Sequence, residues 1–334
     1  MASRRTNLGR TASRRDILAG ALGGAALIGT RGAIAQNYPS KLITIVVPFS
    51  AGGSTDVIAR LLAEKLRTLL GATIIVENRP GAGGAIGVAS VARSEPNGYT
   101  LLVGPSGAMA LVPLTSKQSP YDAIRDFTPV AAMHKHPLFL WARSDGGYRS
   151  LEELVSASKS GKSIAMALTG HGNPTHYASF LLGKEMGIDF VEVPYNGGAQ
   201  VPLSILKGEV DVGFIPAADM QPLIDSGSVR ALLVTSKNRS AAFPDAPTLS
   251  QFGLNEPEID IWVGLFGPRG LPEDIVAKVS HAVSTIYASG ELDKHLGTSE
   301  KMSGTPSELA TTLATDVAKY RRFIEAAAFL RDQK

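Results

Sequence analysis

Apolar and polar positions along this chain follow two alternating periods, and the switches between them lay out a regular succession of strands and helices. The first clear run, Leu42-Ile43-Thr44-Ile45-Val46-Val47, is β-branched and stops at Pro48. The polar turn Phe49-Ser50-Ala51-Gly52-Gly53-Ser54-Thr55-Asp56 follows, and then Val57, Ile58, Leu61, Leu62, Leu66 and Leu69 recur at helical spacing until Gly71. This pattern predicts a buried strand, a tight turn and a helix with Ser54 or Thr55 as its N-cap. Further strands are predicted over 73–76, 100–103, 138–142, 163–167, 190–193, 210–215, 229–234 and 261–266. Helices are predicted over 151–158, 176–186, 199–207, 272–289 and 306–328.

Alternation on this scale is the signature of an α/β protein, with mostly parallel sheets flanked by helices. The chain is long enough for two ordinary domains. Residues 137–143 read as a strand leaving a first lobe and 255–262 as the return, after which the last two helices pack back on the first lobe. The expected division is residues 36–139 with 260–334 in lobe 1 and 140–259 in lobe 2. A small ligand would then sit in the cleft between them.

The first 35 residues stand apart from this pattern. They carry Arg4-Arg5 and Arg14-Arg15, a weakly apolar run from Ile17 to Thr30 broken by glycines, and the small-x-small sequence Ala33-Ile34-Ala35. They are read as an export leader cleaved after Ala35, with Ser13-Arg14-Arg15-Asp16-Ile17-Leu18 resembling a twin-arginine signal. A membrane anchor is the competing reading, but so short an apolar run cannot span a bilayer. Removing the leader changes the charge picture. It takes six arginines and one aspartate with it, turning a formal net charge of +3 into −2. Nucleic-acid binding thereby loses its compositional support. The absence of cysteine excludes disulfides, thiolate metal sites, cysteine nucleophiles and an N-terminal lipidated cysteine. The expected product is soluble and periplasmic.

The candidate chemistry lies in turns rather than in charged clusters. A helix N-terminus offers unpaired N–H groups and a partial positive charge, and Gly52-Gly53 lets backbone approach a bound anion closely. From that segment alone, an anion-receiving turn and an ordinary connection remain equally open. A second turn of the same kind, Leu168-Thr169-Gly170-His171-Gly172-Asn173-Pro174-Thr175-His176, follows the 163–167 strand, with Asn173 or Thr175 able to cap. Two such turns, one per lobe, would clamp carboxylate or carbonyl oxygens through neutral donors. A third, Pro194-Tyr195-Asn196-Gly197-Gly198-Ala199-Gln200, could add directional bonds from Tyr195 and Gln200, or Tyr195 could simply satisfy its own hydroxyl. Asp56 suits the helix dipole, or else points into the cleft and selects a ligand amine or hydroxyl. Phe49 and Trp262 are either apolar walls of the site or ordinary core.

Familiar enzyme motifs fail. Gly81-Ala82-Gly83-Gly84-Ala85-Ile86-Gly87 has the wrong spacing for a dinucleotide loop. Gly161-Lys162-Ser163 lacks the first glycine of a phosphate loop, and no Gly-x-Ser-x-Gly elbow occurs. The pairs His134/His136 and His171/His176 have no acid within a few residues to complete a metal set, so no metal is expected. His176 is read as a capping or ligand-orienting group.

At these residues the chain resembles the substrate-binding proteins of tripartite tricarboxylate transporters, also called Bordetella uptake gene proteins. The likeness rests on 47–56, on Val76-Glu77-Asn78-Arg79-Pro80-Gly81-Ala82-Gly83-Gly84, on Pro96-Asn97-Gly98-Tyr99-Thr100-Leu101 and on Val193-Pro194-Tyr195-Asn196-Gly197-Gly198-Ala199-Gln200. It continues through 230–236, Pro244-Asp245-Ala246-Pro247-Thr248 and Trp262-Val263-Gly264-Leu265-Phe266-Gly267-Pro268. The resemblance implies a two-lobed periplasmic binding fold of type II character that closes on its ligand. It also implies a carboxylate held by Phe49, Ser50, Ala51, Gly52, Gly53, Ser54, Thr55 and Asp56 on one side. On the other side would stand Thr169, Gly170, Asn173, Thr175 and His176, with Ser106, Ala108, Tyr195, Gly198 and Gln200 completing the lining. Two departures, Asn173-Pro174 and Ile215-Pro216, fall where relatives usually carry other residues, and both affect the ligand's distal end. The expectation is a monomeric, non-enzymatic receptor that needs no cofactor and passes a small organic carboxylate to a membrane permease. The alternatives are a receptor for a signalling partner, or a hydrolase or lyase using His176 or Asp56.

Overall fold

The computed structural model describes residues 38–116, 118–254 and 259–326. The proposed leader, its cleavage at Ala35 and residues 255–258 before the return strand lie outside them. The chain opens as its periodicity requires, with β1 (Ile43–Val47), α1 (Ser54–Leu70) and β2 (Ile74–Asn78). Next come α2 (Ala85–Ala92), β3 (Thr100–Pro105), a wide helical turn at Gly107–Leu111 running into α3 (Val112–Thr115), and β4 (Phe127–Pro137). One residue later β5 (Phe139–Arg143) starts a second sheet, built with α4 (Leu151–Lys159), β6 (Ile164–Leu168), α5 (Pro174–Met186) and β7 (Phe190–Pro194). That region ends with α6 (Val201–Lys207), β8 (Val212–Ile215), α7 (Ala217–Asp225) and β9 (Val229–Val234). The return is β10 (Asp260–Pro268), then α8 (Glu273–Ala288), α9 (Asp293–Leu296), β11 (Glu300–Lys301) and α10 (Pro306–Ala326).

The first sheet runs β11-β4-β10-β3-β1-β2 and the second β7-β6-β8-β5-β9. Strand β1 is parallel to β2 and β3, and β6 is parallel to β7 and β8. The expectation of mostly parallel sheets is corrected at the crossover. Strand β4 carries the chain out of the first sheet and β10 brings it back, so the two lie side by side in opposite directions, and β10 also opposes β3. For the same reason β5 is antiparallel to β8 and β9. Both sheets are therefore mixed.

Strand β4 was not signalled by β-branched residues. Its Ala131-Ala132-Met133 centre is strand because it is buried and pairs with β10, which overrides weak intrinsic preference. Strand β5 shows the expected period of two. Phe139 and Trp141 enter one apolar cluster with Val201, Ile205 and Ile215, while Leu138, Leu140 and Ala142 enter another. That second cluster runs through the crossover, joining Trp262 and Phe266 of β10 to Leu232 and Leu233 of β9. Helices α8 and α10 both pack on β4.

The turn after β1 is wedged from behind by α2. A Cβ added at Gly87 would lie 2.7 Å from the Arg79 carbonyl oxygen and 2.9 Å from Pro48 Cα. Both are backbone atoms, so neither can step aside as a rotamer would. Gly87→Ala is therefore expected to cost about 2 kcal/mol by overpacking, read as a lower urea midpoint at unchanged slope.

Candidate functional site

Helix α1 begins one residue earlier than expected. Gly53, extended at φ −78° and ψ 167°, is the N-cap, and no side chain caps the helix, so neither Ser54 nor Thr55 plays that part. The preceding turn is held by Asp56 instead. Its Oδ2 accepts from the Gly52 N–H at 2.9 Å and from Arg60 Nε at 3.0 Å, and its Oδ1 accepts from Asn78 Nδ2 at 2.9 Å and from Arg60 Nη2 at 3.0 Å. Asn78 Nδ2 also donates to the Phe49 carbonyl, and Asn78 Oδ1 accepts from Arg60 Nη2 at 2.8 Å. Burial would push the Asp56 carboxyl up, but Arg60, the Gly52 N–H and Asn78 outweigh it and hold it below its ordinary value. Asp56 is thus a buried brace of the turn.

Helix α5 is capped by Asn173, whose Oδ1 accepts from the N–H of Thr175 and of His176, with Pro174 preset at the first helical position. Asn173 Nδ2 donates to Thr169 Oγ1, and the Thr175 hydroxyl donates to Asn173 Oδ1 at 2.8 Å while accepting from the Thr169 N–H. Thr175 and His176 are buried beneath the turn rather than in the cleft.

The two turns meet. The Ser50 N–H donates to the Asn196 carbonyl at 3.2 Å across the lobes. Ser54 donates to Asp219 of α7 twice, from its N–H to Oδ1 at 2.6 Å and from Oγ to Oδ2 at 2.9 Å. Gly197, at φ 121°, faces Phe49, and Gly170 faces Gly83. Between them is a cavity of about 40 Å³. It is lined by the expected Phe49, Ser50, Gly53, Ser54, Thr55, Asp56, Thr169, Asn173 and Gly198. Gly107, His136, Pro216, Asp219 and Ile261 join them without having been foreseen. No lysine or arginine is among these described lining residues.

Other expected residues lie around the cavity rather than on it. Ala51 and Gly52 are exposed, Ser106 and Ala108 are buried on either side of Gly107, and Gln200 is exposed. Gly170 is packed between Gly83 and Asn173 Nδ2, and Tyr195 leans on the second-sheet core. Trp262 is core, its Nε1 donating to Asp316 Oδ2 at 2.7 Å.

Folding supplies the acid that the histidine pair lacked in sequence. Glu192 of β7 comes beside the α5 turn, so that ligating atoms of His171, His176 and Glu192 lie within 4.8 Å of one another. The donor chemistry does not suit a metal. His176 Nδ1 accepts from the Gly172 N–H at 3.0 Å, which places the ring proton on Nε2, and Nε2 faces Glu192 Oε1 at 3.3 Å. The ring that would have to ligate instead presents a hydrogen to the carboxylate. A larger groove, about 610 Å³, lies beside the crossover, where Lys135 is paired with Glu300 at 3.1 Å and Asp260 at 3.8 Å. Among its described lining residues Ala217 opens a helix after Pro216 and no glycine turn precedes a helix start, so the interlobe cavity is the better site.

Among known proteins, the family described as tripartite tricarboxylate transporter family receptor matches residues 58–329. The solved periplasmic binding protein BugD shares 31% identity and a TM-score of 0.82, over 87% of this chain and 99% of its own. MatC from Rhodopseudomonas palustris, solved with bound malate, shares 30% identity and a TM-score of 0.80, over 86% of this chain and 100% of its own. An R. palustris protein solved with adipate shares 27% identity and a TM-score of 0.81, over 87% of this chain and 98% of its own.

Proposed function

The chain belongs to the tripartite tricarboxylate transporter receptor family, and on that premise we propose that it is a periplasmic receptor which closes two lobes on a small organic carboxylate and presents it to a membrane permease. The observation that carries this reading is the meeting of two glycine turns at helix starts around a cavity without a cationic side chain. Such a site binds an anion through N–H and hydroxyl donors and the helix dipoles. The α1 turn already receives a carboxylate of the protein's own, since both donors of Ser54 converge on Asp219. Malate and adipate in the two R. palustris relatives belong to the same chemical class.

Ser50 and Ser54 bond across this cavity to Asn196 and Asp219, so the lobes part to admit ligand. Leu138, between β4 and β5, is a natural hinge, with lobe 1 moving against lobe 2. Ligand then favours the closed form by bridging both turns, and the permease reads that closed surface. The protein acts as a monomer and turns nothing over, because His176 is committed to the Gly172 N–H and Glu192, and Asp56 to Arg60 and Asn78.

The test is thermal unfolding of ligand-free mature protein against dicarboxylates, citrate, aromatic acids and acidic amino acids. One class at 100 times its dissociation constant should add about 2.7 kcal/mol, a rise of about 5 °C. A flat response across the whole panel would sink the reading.

A further inference from the structure

We infer that Asp219 fills one carboxylate subsite of the cleft from within, so that the ligand carries a single carboxylate and turns an ammonium group toward Asp219. This deepens the carboxylate-receptor reading and rests on it. The two donors that α1 offers at its start, the Ser54 N–H and hydroxyl, each take one oxygen of Asp219. They are the donors a ligand carboxylate would need at that end.

The position is built for this side chain. Asp219 lies in the first turn of α7, directly after Pro216, and reaches across the lobes between two glycines. A Cβ at Gly198 would come within 2.9 Å of the Asp219 carboxylate, and one at Gly53 would lie 3.5 Å from its Oδ1. At Gly198 only bare backbone leaves room for it, while Gly53 is at ordinary contact distance on the other side.

The charges point the same way. The cavity's other carboxylate, Asp56, is neutralised by Arg60, but Asp219 meets only neutral donors. Burial pushes its carboxyl up against the pull of the Ser54 bonds. A second ligand carboxylate at this end would stand beside a like charge in a poorly solvated site, which is unfavourable. An ammonium there would supply the opposite charge that the described lining lacks. The ligand's own carboxylate is left to the opposite wall, where Gly107, Thr169 and Asn173 line the cavity.

Calorimetric titration of the mature protein and of its Asp219→Asn and Asp219→Ser variants with three matched probes tests this. Butyrate, 4-aminobutyrate and glutarate share a carboxylate on a three-carbon chain and end in a methyl, an ammonium and a second carboxylate. Amino acids and dicarboxylates of two to six carbons extend each class. In the wild type the tightest amine-bearing acid is expected to bind at least tenfold tighter than the tightest dicarboxylate. Both variants should reverse that order, with the dicarboxylate gaining tenfold or more. A wild-type preference for dicarboxylates that the variants leave unchanged overturns the role of Asp219 while the carboxylate reading stands. No binding by any acid in the wild type or either variant overturns both.

Discussion

Asp56→Ala is expected to abolish ligand binding and to lower the stability of the fold by about 3 kcal/mol. The carboxylate accepts four hydrogen bonds, and each donor serves the receiving turn: the Gly52 N–H belongs to the turn, Asn78 holds the Phe49 carbonyl, and Arg60 ties both to α1. Alanine leaves the Asn78 amide and the Gly52 N–H without their acceptor in a place where Asp56 itself is 3% exposed. The cost is that of a buried carboxylate site losing a charge-assisted network and of partly buried donors losing their acceptor, not merely of a lost surface pair. Asp56→Asn should recover only part, because its amide nitrogen is a donor and would face a donor from either Arg60 or Asn78. Arg60→Ala should cost less than either, since half of that side chain already lies in solvent. Urea unfolding and titration with the best carboxylate would read both effects. Full binding in a folded Asp56→Ala protein would show that the turn does not hold the ligand.

What the sequence reveals of this site depends on how far apart its parts lie along the chain. The α1 and α5 turns are legible because each is local, a strand end, glycines and a hydroxyl or amide side chain within nine residues. The reading goes wrong within the turn on a local matter too, since Gly53 rather than Ser54 caps α1. Asp56 shows a subtler limit. Its place in the first helical turn is visible, but its partner Asn78 arrives from the end of β2, twenty-two residues on, and that pairing is a consequence of β1 and β2 lying side by side. Asp219 is further still, 165 residues from Ser54 and in the other lobe. Read in isolation it is an acid near a helix start, which the dipole alone explains.

The fold divides similarly. The β-branched runs give the parallel strands, whose pattern needs no knowledge of neighbours. Strand β4 is different, because a sequence containing Pro129, two alanines and two histidines becomes strand only through burial and its long pairing with β10. The same strand that escapes the pattern carries the two histidines whose environment sets the protein's response to acid.

Stability is expected to fall steeply as pH drops from about 6.5 to 4, and β4 is the reason. His134 and His136 are both buried, and their rings lie 5.6 Å apart between centroids. Burial holds His136 down to about 4, and burial together with the nearby His136 holds His134 well below its ordinary value. In the unfolded chain both rings take up protons near pH 6.5, whereas the folded protein refuses them until lower pH. The unfolded state therefore binds more protons throughout this window, and stability declines as pH falls, by about 1.4 kcal/mol per pH unit for each fully titrating ring. His136 alone removes about 3 kcal/mol by pH 4. His134 Nδ1 and the Tyr287 hydroxyl of α8 share a hydrogen bond at 2.9 Å, and burial pushes that phenol up, so it stays neutral and brings no negative charge to offset a protonated ring. Asp56, held below the ordinary carboxylate range, adds only a little at the acid end of the window, and Asp219, shifted upward, works weakly in the opposite sense. Urea unfolding at half-unit steps from pH 7 to 4 would measure the slope, and His136→Gln should flatten it by about one proton. A stability that stays level across that range would mean the two rings are not held neutral. Because His136 also lines the interlobe cavity and sits one residue before Pro137 at the crossover, the same protonation bears on the proposed ligand site and hinge.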